Sequence, residues 1–190
     1  VIKKDITTVT AASEGEESRK LVQEIFMNPY FRVYTNSDVA GVELGGALKN
    51  IIALGSGITV GLGYGDNARA ALITRGLAEI TRFGVYFGAQ ESTFMGLSGV
   101  GDLVVTGMST HSRNFQCGYY IGQGMTPEEA VEKVGMVVEG FYTTKAVYEI
   151  AKEENIDMPI TTAIYQIITN QVEAKNASLD LMKREGKEEA

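Results

Sequence analysis

One stretch of the chain is apolar on every side. Across 41–54 (GVELGGALKNIIAL) the strongly polar side chains are only Glu43, Lys49 and Asn50. A helix built from it has no solvated face and must be buried. The flanking patterns are more ordinary. Residues 5–11 (DITTVTA) are β-branched and predict a strand. Ser13 with Glu16 three positions on predicts a capping box and a helix to about Met27. Pro29 stops that helix, 30–35 predicts a second strand, and Asn36, Ser37 and Asp38 are N-cap candidates for the long helix.

Helical patterns dominate the remainder. Residues 55–65 predict a glycine-rich connection, with 58–60 as its one short strand-like piece. Asp66 or Asn67 caps a helix to about Phe83, with Arg75 and Glu79 spaced as an i,i+4 pair and Gly84 as its stop. Residues 92–97 predict a short helical turn, 99–102 a glycine turn, and 103–106 an apolar helical segment opened by Asp102. Ser112 caps a helix to about Gly122. Thr126-Pro127-Glu128-Glu129 combines a capping box with proline at the first helical position, and Gly135 ends that helix. Helices follow at 141–153, 160–169 and 176–183, and the charged tail 184–190 is expected to fray. The expected organisation is therefore mainly α. Residues 1–37 form the last β-α-β piece of an α/β domain, and 38–190 form a helical domain.

Lysine is almost never fully buried unless paired, yet Lys49 lies inside the apolar run. Helical side chains lean toward the N-terminus, placing Lys49 over Gly45 and Asn50 over Gly46, with Gly41 a turn below. Each glycine costs about 1 kcal/mol against alanine in a helix interior. Together they clear space for a ligand or a second backbone beside an ammonium and an amide. A plainer reading stays open here: Lys49 snorkels to the surface and the glycines only allow close helix packing.

Gly63-x-Gly65-x-x-Ala68 has the spacing of a dinucleotide fingerprint. That motif needs a strand before it and βαβ alternation after it. A buried helix precedes this copy and helices follow, so it reads as a connection. Ser112-Arg113-Asn114 is the second constellation. A helix N-terminus offers free N–H groups and arginine a planar fork, so the three form a phosphate cradle, or else an ordinary cap with Arg113 in solvent. Asp102 is placed to pair with Lys49, to cap its own helix, or both. Glu139 between Val138 and Gly140 is equally open.

Composition narrows the rest. A net charge of −7 and pI near 4.8 argue against a nucleic-acid surface. No apolar run reaches the ~18 residues of a membrane span. The single cysteine, Cys117, excludes an internal disulfide and fits a reducing compartment. With one histidine, His111, little remains for a metal site, and a hydrolytic triad would rest on His111 alone. The chain opens on Val1, which leads to the expectation of a piece of something longer.

In this order, GVELGGALKN (41–50), NARAALITRGLAE (67–79), GVGDL (99–103), Ser112-Arg113-Asn114, VVEG (137–140) and Met158-Pro159-Ile160, with NPYFRVY (28–34), resemble bacterial NAD(P)-dependent glycerol-3-phosphate dehydrogenase. The resemblance covers nearly the whole chain. It implies a helical domain similar to the C-terminal domain of 6-phosphogluconate dehydrogenase, preceded by the remnant of a Rossmann-type domain. It implies interconversion of dihydroxyacetone phosphate and sn-glycerol 3-phosphate with NAD or NADP, serving glycerophospholipid synthesis in the cytoplasm. By resemblance Lys49 is the acid/base, while Lys49, Asn50, Asp102, Thr106, Ser112, Arg113 and Asn114 bind substrate. Arg113, Val137 and Glu139 touch the cofactor, no metal takes part, and the enzyme is a homodimer. Most of the family's dinucleotide-binding domain is missing, so the piece is expected to be inactive alone. The rivals are another hydroxyacid or phosphosugar dehydrogenase of the wider group, and a non-catalytic helical dimerisation module.

Overall fold

In the computed structural model, which describes residues 4–186 and 188, a β-α-β unit leads into an array of helices. Residues 1–3 of the expected first piece, and Lys187, Glu189 and Ala190 of the expected frayed tail, lie outside the described residues. Strands β1 (Thr7–Ala12) and β2 (Phe31–Asn36) pair in parallel, Thr7 opposite Phe31 and Ala12 opposite Asn36, with α1 (Glu16–Phe26) between them in sequence. The expected capping box is not made. The Ser13 hydroxyl accepts from the Gly15 N–H at 3.2 Å, and α1 starts after Gly15 with no side-chain cap. A local turn of this kind competes with capping for the same oxygen.

Asp38 joins the two regions. Its carboxylate caps α2 (Val39–Gly61) by accepting from the Gly41 N–H at 2.9 Å. It also accepts from the Gln90 N–H at 2.8 Å and the Thr93 hydroxyl at 2.7 Å. Burial pushes the Asp38 carboxyl up, but the Thr93, Gln90 and Gly41 hydrogen bonds outweigh it and hold the group below its ordinary range.

Helix α2 does not end near Leu54. It continues through the expected connection to Gly61, so 58–60 is helical rather than strand-like. The reason lies in α6 (Arg113–Gly122). A Cβ on Gly57 or Gly61 would run into the carbonyls of Phe115 or Tyr119, and one on Gly118 or Gly122 into those of Leu54 or Ile58. Glycines one turn apart on each helix let the two backbones touch, with carbonyls facing Cα hydrogens across the contact. The cost in helix propensity is set against dispersion over the whole crossing.

At this length α2 is apolar enough, by length and composition alone, to cross a membrane. That revises the expectation of no such run, because residues 55–61 extend the helix instead of forming a connection. In the fold α2 is the central helix. Helices α3 (Asp66–Tyr86), α5 (Asp102–Met108), α6 and α8 (Glu139–Glu153) surround it, and Leu48, Ile51, Ile52 and Leu54 are fully buried.

Other expectations shift for similar reasons. Helix α3 begins after Gly65 with Asp66 in its first turn, and passes through Gly84, where α4 (Glu91–Phe94) lays the Phe94 ring. Glu79 does not pair with Arg75. It turns inward and accepts from the Ile160 N–H at 2.6 Å and from the Thr161 N–H and hydroxyl at 3.1 Å each, at the start of α9 (Pro159–Ile168). The expected glycine turn before Asp102 is a π-helical turn, Leu97–Gly101, that runs directly into α5. Helix α7 (Pro127–Val134) has both halves of its capping box and ends at Gly135 with φ of 67°. Helix α10 (Ala174–Met182) closes the array.

Candidate active site

Lys49 and Asn50 lie midway along α2, where neighbouring helices deliver polar groups to them. Gly45, one turn below Lys49, has no side chain because the Ser98 carbonyl of the π-helical turn occupies that space. The turn therefore approaches α2 closely and carries Asp102 over Lys49. Turns of this kind recur at functional sites, where they re-aim a side chain. The Lys49 ammonium donates to Asp102 Oδ2. Asp102 Oδ1 accepts from the Thr106 hydroxyl one turn along α5 at 3.3 Å. The carboxylate is held at both oxygens, while the Lys49 side chain stays 22% and Asp102 37% exposed. The pair is reachable from solvent on one side. A Cβ at Gly46 would meet nothing within 4 Å, so that side of α2, below Asn50, is open.

Asn50 starts a second chain of hydrogen bonds. The Asn114 Nδ2 donates to Asn50 Oδ1 at 3.0 Å, and Asn50 Nδ2 donates to Glu139 Oε2 at 3.1 Å. Asn114 Oδ1 accepts from the Gly140 N–H at 2.8 Å. A backbone N–H can only donate, so the amide orientations follow from one end of the chain to the other. Asn50 and Asn114 are each 7% exposed, and satisfying such buried amides fixes α2, α6 and α8 relative to one another.

The start of α6 is capped as expected: the Ser112 hydroxyl accepts from the Phe115 N–H at 3.3 Å. The N–H groups of Arg113 and Asn114 belong to the first turn, where a helix leaves donors outward. Arg113 lies 3.7 Å from Glu139 Oε1, with side chains 41% and 57% exposed. An ion pair that long and that wet is worth little, so the guanidinium is available to an incoming anion. Val137 is exposed beside Glu139.

Seven of the residues singled out in the sequence are brought together in two clusters at the neighbouring positions Lys49 and Asn50. Lys49, Asp102 and Thr106 form one, and Asn50, Asn114, Glu139 and Arg113 the other, with Ser112 capping the helix that carries Arg113 and Val137 exposed two residues before Glu139. The Gly140 N–H was not foreseeable, since a backbone donor leaves no mark in sequence. Neither was Arg69 of α3, whose guanidinium reaches the far end of α5. His111 is exposed, and its backbone N–H donates to the Ser109 hydroxyl at 3.2 Å. Burial pushes the Cys117 thiol up to about 12, which leaves it a core residue rather than a nucleophile.

Comparison with known proteins gives one consistent result. Residues 38–178 match the family model described as NAD-dependent glycerol-3-phosphate dehydrogenase C-terminus. A glycerol-3-phosphate dehydrogenase (NAD(P)+) of Staphylococcus aureus strain JH9 is 58% identical over 189 residues, which cover 100% of this chain and 57% of that protein. The crystal structure of the Coxiella burnetii glycerol-3-phosphate dehydrogenase superposes with a TM-score of 0.91 at 40% identity, over 96% of this chain and 56% of that one. The Saccharomyces cerevisiae enzyme gives 0.85 at 33% identity, over the same 96% and 56%. The chain spans little more than half the length of these relatives.

Proposed function

This chain belongs to the NAD-dependent glycerol-3-phosphate dehydrogenase family, and we propose that it is the substrate-binding and acid/base half of such an enzyme. Residues 1–37 are, on this reading, the end of a dinucleotide-binding domain, and 38–190 the helical domain that completes the active site. The whole enzyme interconverts dihydroxyacetone phosphate and sn-glycerol 3-phosphate for glycerophospholipid synthesis, as a cytoplasmic homodimer. The carrying observation is the solvent-reachable Lys49–Asp102 pair, one residue away from the Asn50–Asn114 link to a helix N-terminus bearing Arg113.

The residues fit one wall of a nicotinamide dinucleotide site. Glu139 offers carboxylate oxygens to ribose hydroxyls, Arg113 a cation to phosphate, Val137 exposed apolar surface, and Gly46 an unfilled approach to α2. When bound, NADH or NADPH supplies a hydride to the carbonyl carbon of the substrate.

This chain's residues do the rest. As that carbon gains its hydride, the Lys49 ammonium gives a proton to the carbonyl oxygen, so the ketone becomes a secondary alcohol. In the reverse direction neutral Lys49 removes the same proton. Asp102, fixed by Thr106, aims the ammonium. Arg113 and the first-turn N–H groups of α6, capped by Ser112, hold the phosphate, and Asn114 ties that helix to Asn50. Remote binding energy at the phosphate is thereby spent on orienting the reacting carbon.

The glycines of α2 bear on the dimerisation-module alternative. Gly45, Gly57 and Gly61 are filled by this chain's own backbone, from the π-helical turn and α6. The direct test is substrate-dependent oxidation of NADH and NADPH by the chain joined to its dinucleotide-binding domain, with and without Lys49. Activity with other hydroxyacids or phosphosugars, and not with dihydroxyacetone phosphate, would point to the wider group.

A further inference from the structure

Arg69 is half-buried on α3, and among the described residues no carboxylate pairs with it. Its bonds go elsewhere. Nε donates to the Ser56 hydroxyl at 3.0 Å and Nη2 to the Gly107 carbonyl at 2.7 Å, while the Ser56 hydroxyl donates to the same carbonyl at 2.7 Å. The guanidinium also lies over the Phe115 ring, 5.0 Å from its centroid. Ser56 is fully buried. Gly107 stands in the last turn of α5, where a helix has carbonyls without helical donors and favours a positive charge.

The arrangement has a geometric logic. Ser56 follows Lys49 by two turns on the same face of α2, about 10 Å along the axis, and Gly107 lies about 7 Å along α5 from Asp102. The short helix α5 is therefore fastened to α2 at both ends. At one end the fastening is Lys49 to Asp102, and at the other Ser56 and Arg69 to Gly107. The first fastening contains the proton that moves. Once Lys49 has given it up, the attraction between two full charges is lost, and only a hydrogen bond from a neutral amine to the Asp102 carboxylate remains there. The second fastening joins a guanidinium, a hydroxyl and a backbone carbonyl, and holds no group that gives up a proton in the reaction.

We propose that Arg69 is a positioning residue. It clamps the C-terminal end of α5 against α2 and α6, so that Asp102 and Thr106 keep their place over Lys49 while the lysine is neutral. This rests on the acid/base reading of Lys49 above. The clamp acts on the proton-transfer end of the site and leaves the phosphate end, built on the first turn of α6, in place.

The test uses the enzyme carrying its dinucleotide-binding domain, with Arg69→Lys, Arg69→Ala and Ser56→Ala. Steady-state kinetics with dihydroxyacetone phosphate are read beside calorimetric titration with sn-glycerol 3-phosphate and thermal melts. A displacement of about 1 Å at a reacting group costs up to ~10²-fold. We expect kcat to fall at least about tenfold in both Arg69 variants and less in Ser56→Ala. KM and the calorimetric affinity should stay within about twofold, and added guanidinium ion should restore much of the Arg69→Ala rate. Lowered melting temperature with kcat unchanged below the melt would overturn the proposal, and so would a loss confined to KM and affinity. An inactive parent enzyme, with Arg69 intact, would instead refute the functional reading on which it rests.

Discussion

Asn114 hands its amide hydrogen to Asn50 at 3.0 Å, and this bond couples the helix carrying Lys49 to the helix carrying Arg113. Both amides are buried, and Asn114 also takes the Gly140 N–H at 2.8 Å. Asn114→Ala leaves that N–H and the Asn50 oxygen without partners. Each buried group left unpaired costs roughly 1–3 kcal/mol. With two groups affected, we predict a loss of roughly 2–6 kcal/mol in urea unfolding, accompanied by a raised KM for the phosphate substrate. Unchanged stability would mean that the three-helix amide chain is not formed.

The glycines of α2 divide into two kinds. Gly57 faces the Phe115 carbonyl, and Gly118 on the partner helix faces that of Leu54. Alanine at Gly118 has a backbone in its way, so overpacking should destabilise the fold by about 1–3 kcal/mol or more. Gly46 faces open space. Alanine there should stabilise the isolated chain by up to about 1 kcal/mol, from helix propensity. In the complete enzyme the same methyl should weaken cofactor or substrate binding. Paired melts and KM values for Gly118→Ala and Gly46→Ala check both directions. A Gly46→Ala enzyme with unaltered KM would remove Gly46 from the ligand side.

Glu79 supplies a pH dependence. It is 3% exposed, and burial pushes its carboxyl up to about 7, against the hydrogen bonds from Ile160 and Thr161. Because the folded protein holds this proton more tightly than the unfolded chain, the stabilising contribution is complete below about 4.5. It is lost as pH rises through about 7. At 1.36 kcal/mol per pH unit the loss amounts to roughly 3 kcal/mol. Glu79→Gln stays neutral throughout. The unfolding free energy of the parent minus that of Glu79→Gln should therefore decline between pH 5 and pH 8, on the order of a few kcal/mol. A difference that is flat or rises with pH contradicts this account.

What could be read from sequence was whatever is local or chemically expensive. Ser112, Thr126 and Gly135 act through neighbours within four residues, and the structure has the caps and the left-handed stop that their patterns predict. Lys49 stood out because an ammonium in an apolar run demands a partner, and Asp102 was within the short set of candidates. Apart from Ser13, whose hydroxyl is taken by a local turn at Gly15, several differences concern residues whose reason lies on another helix. Glu79 looked like half of a helical ion pair because Arg75 is four residues away. Its true partners, at the start of α9, are 81 and 82 residues away. Gly55 to Gly61 looked like a connection because glycine is a weak helix former, and nothing nearby announces Gly118 and Gly122. Gly84 looked like a stop for want of sight of Phe94. Arg69 carried no local signal, since its acceptors are a hydroxyl and a carbonyl on other helices.

The central claim is that Lys49 moves a proton on a phosphorylated three-carbon substrate. The most direct measurement is the rate of NADH and NADPH oxidation dependent on dihydroxyacetone phosphate. It should be made for this chain alone, for the chain joined to its dinucleotide-binding domain, and for that longer protein with Lys49→Met. Losing an acid/base group lowers turnover by about 10²- to 10⁴-fold. The account predicts turnover only in the joined protein, and a loss of at least about 10²-fold with Lys49→Met while the fold persists. Full activity with methionine at that position would contradict it.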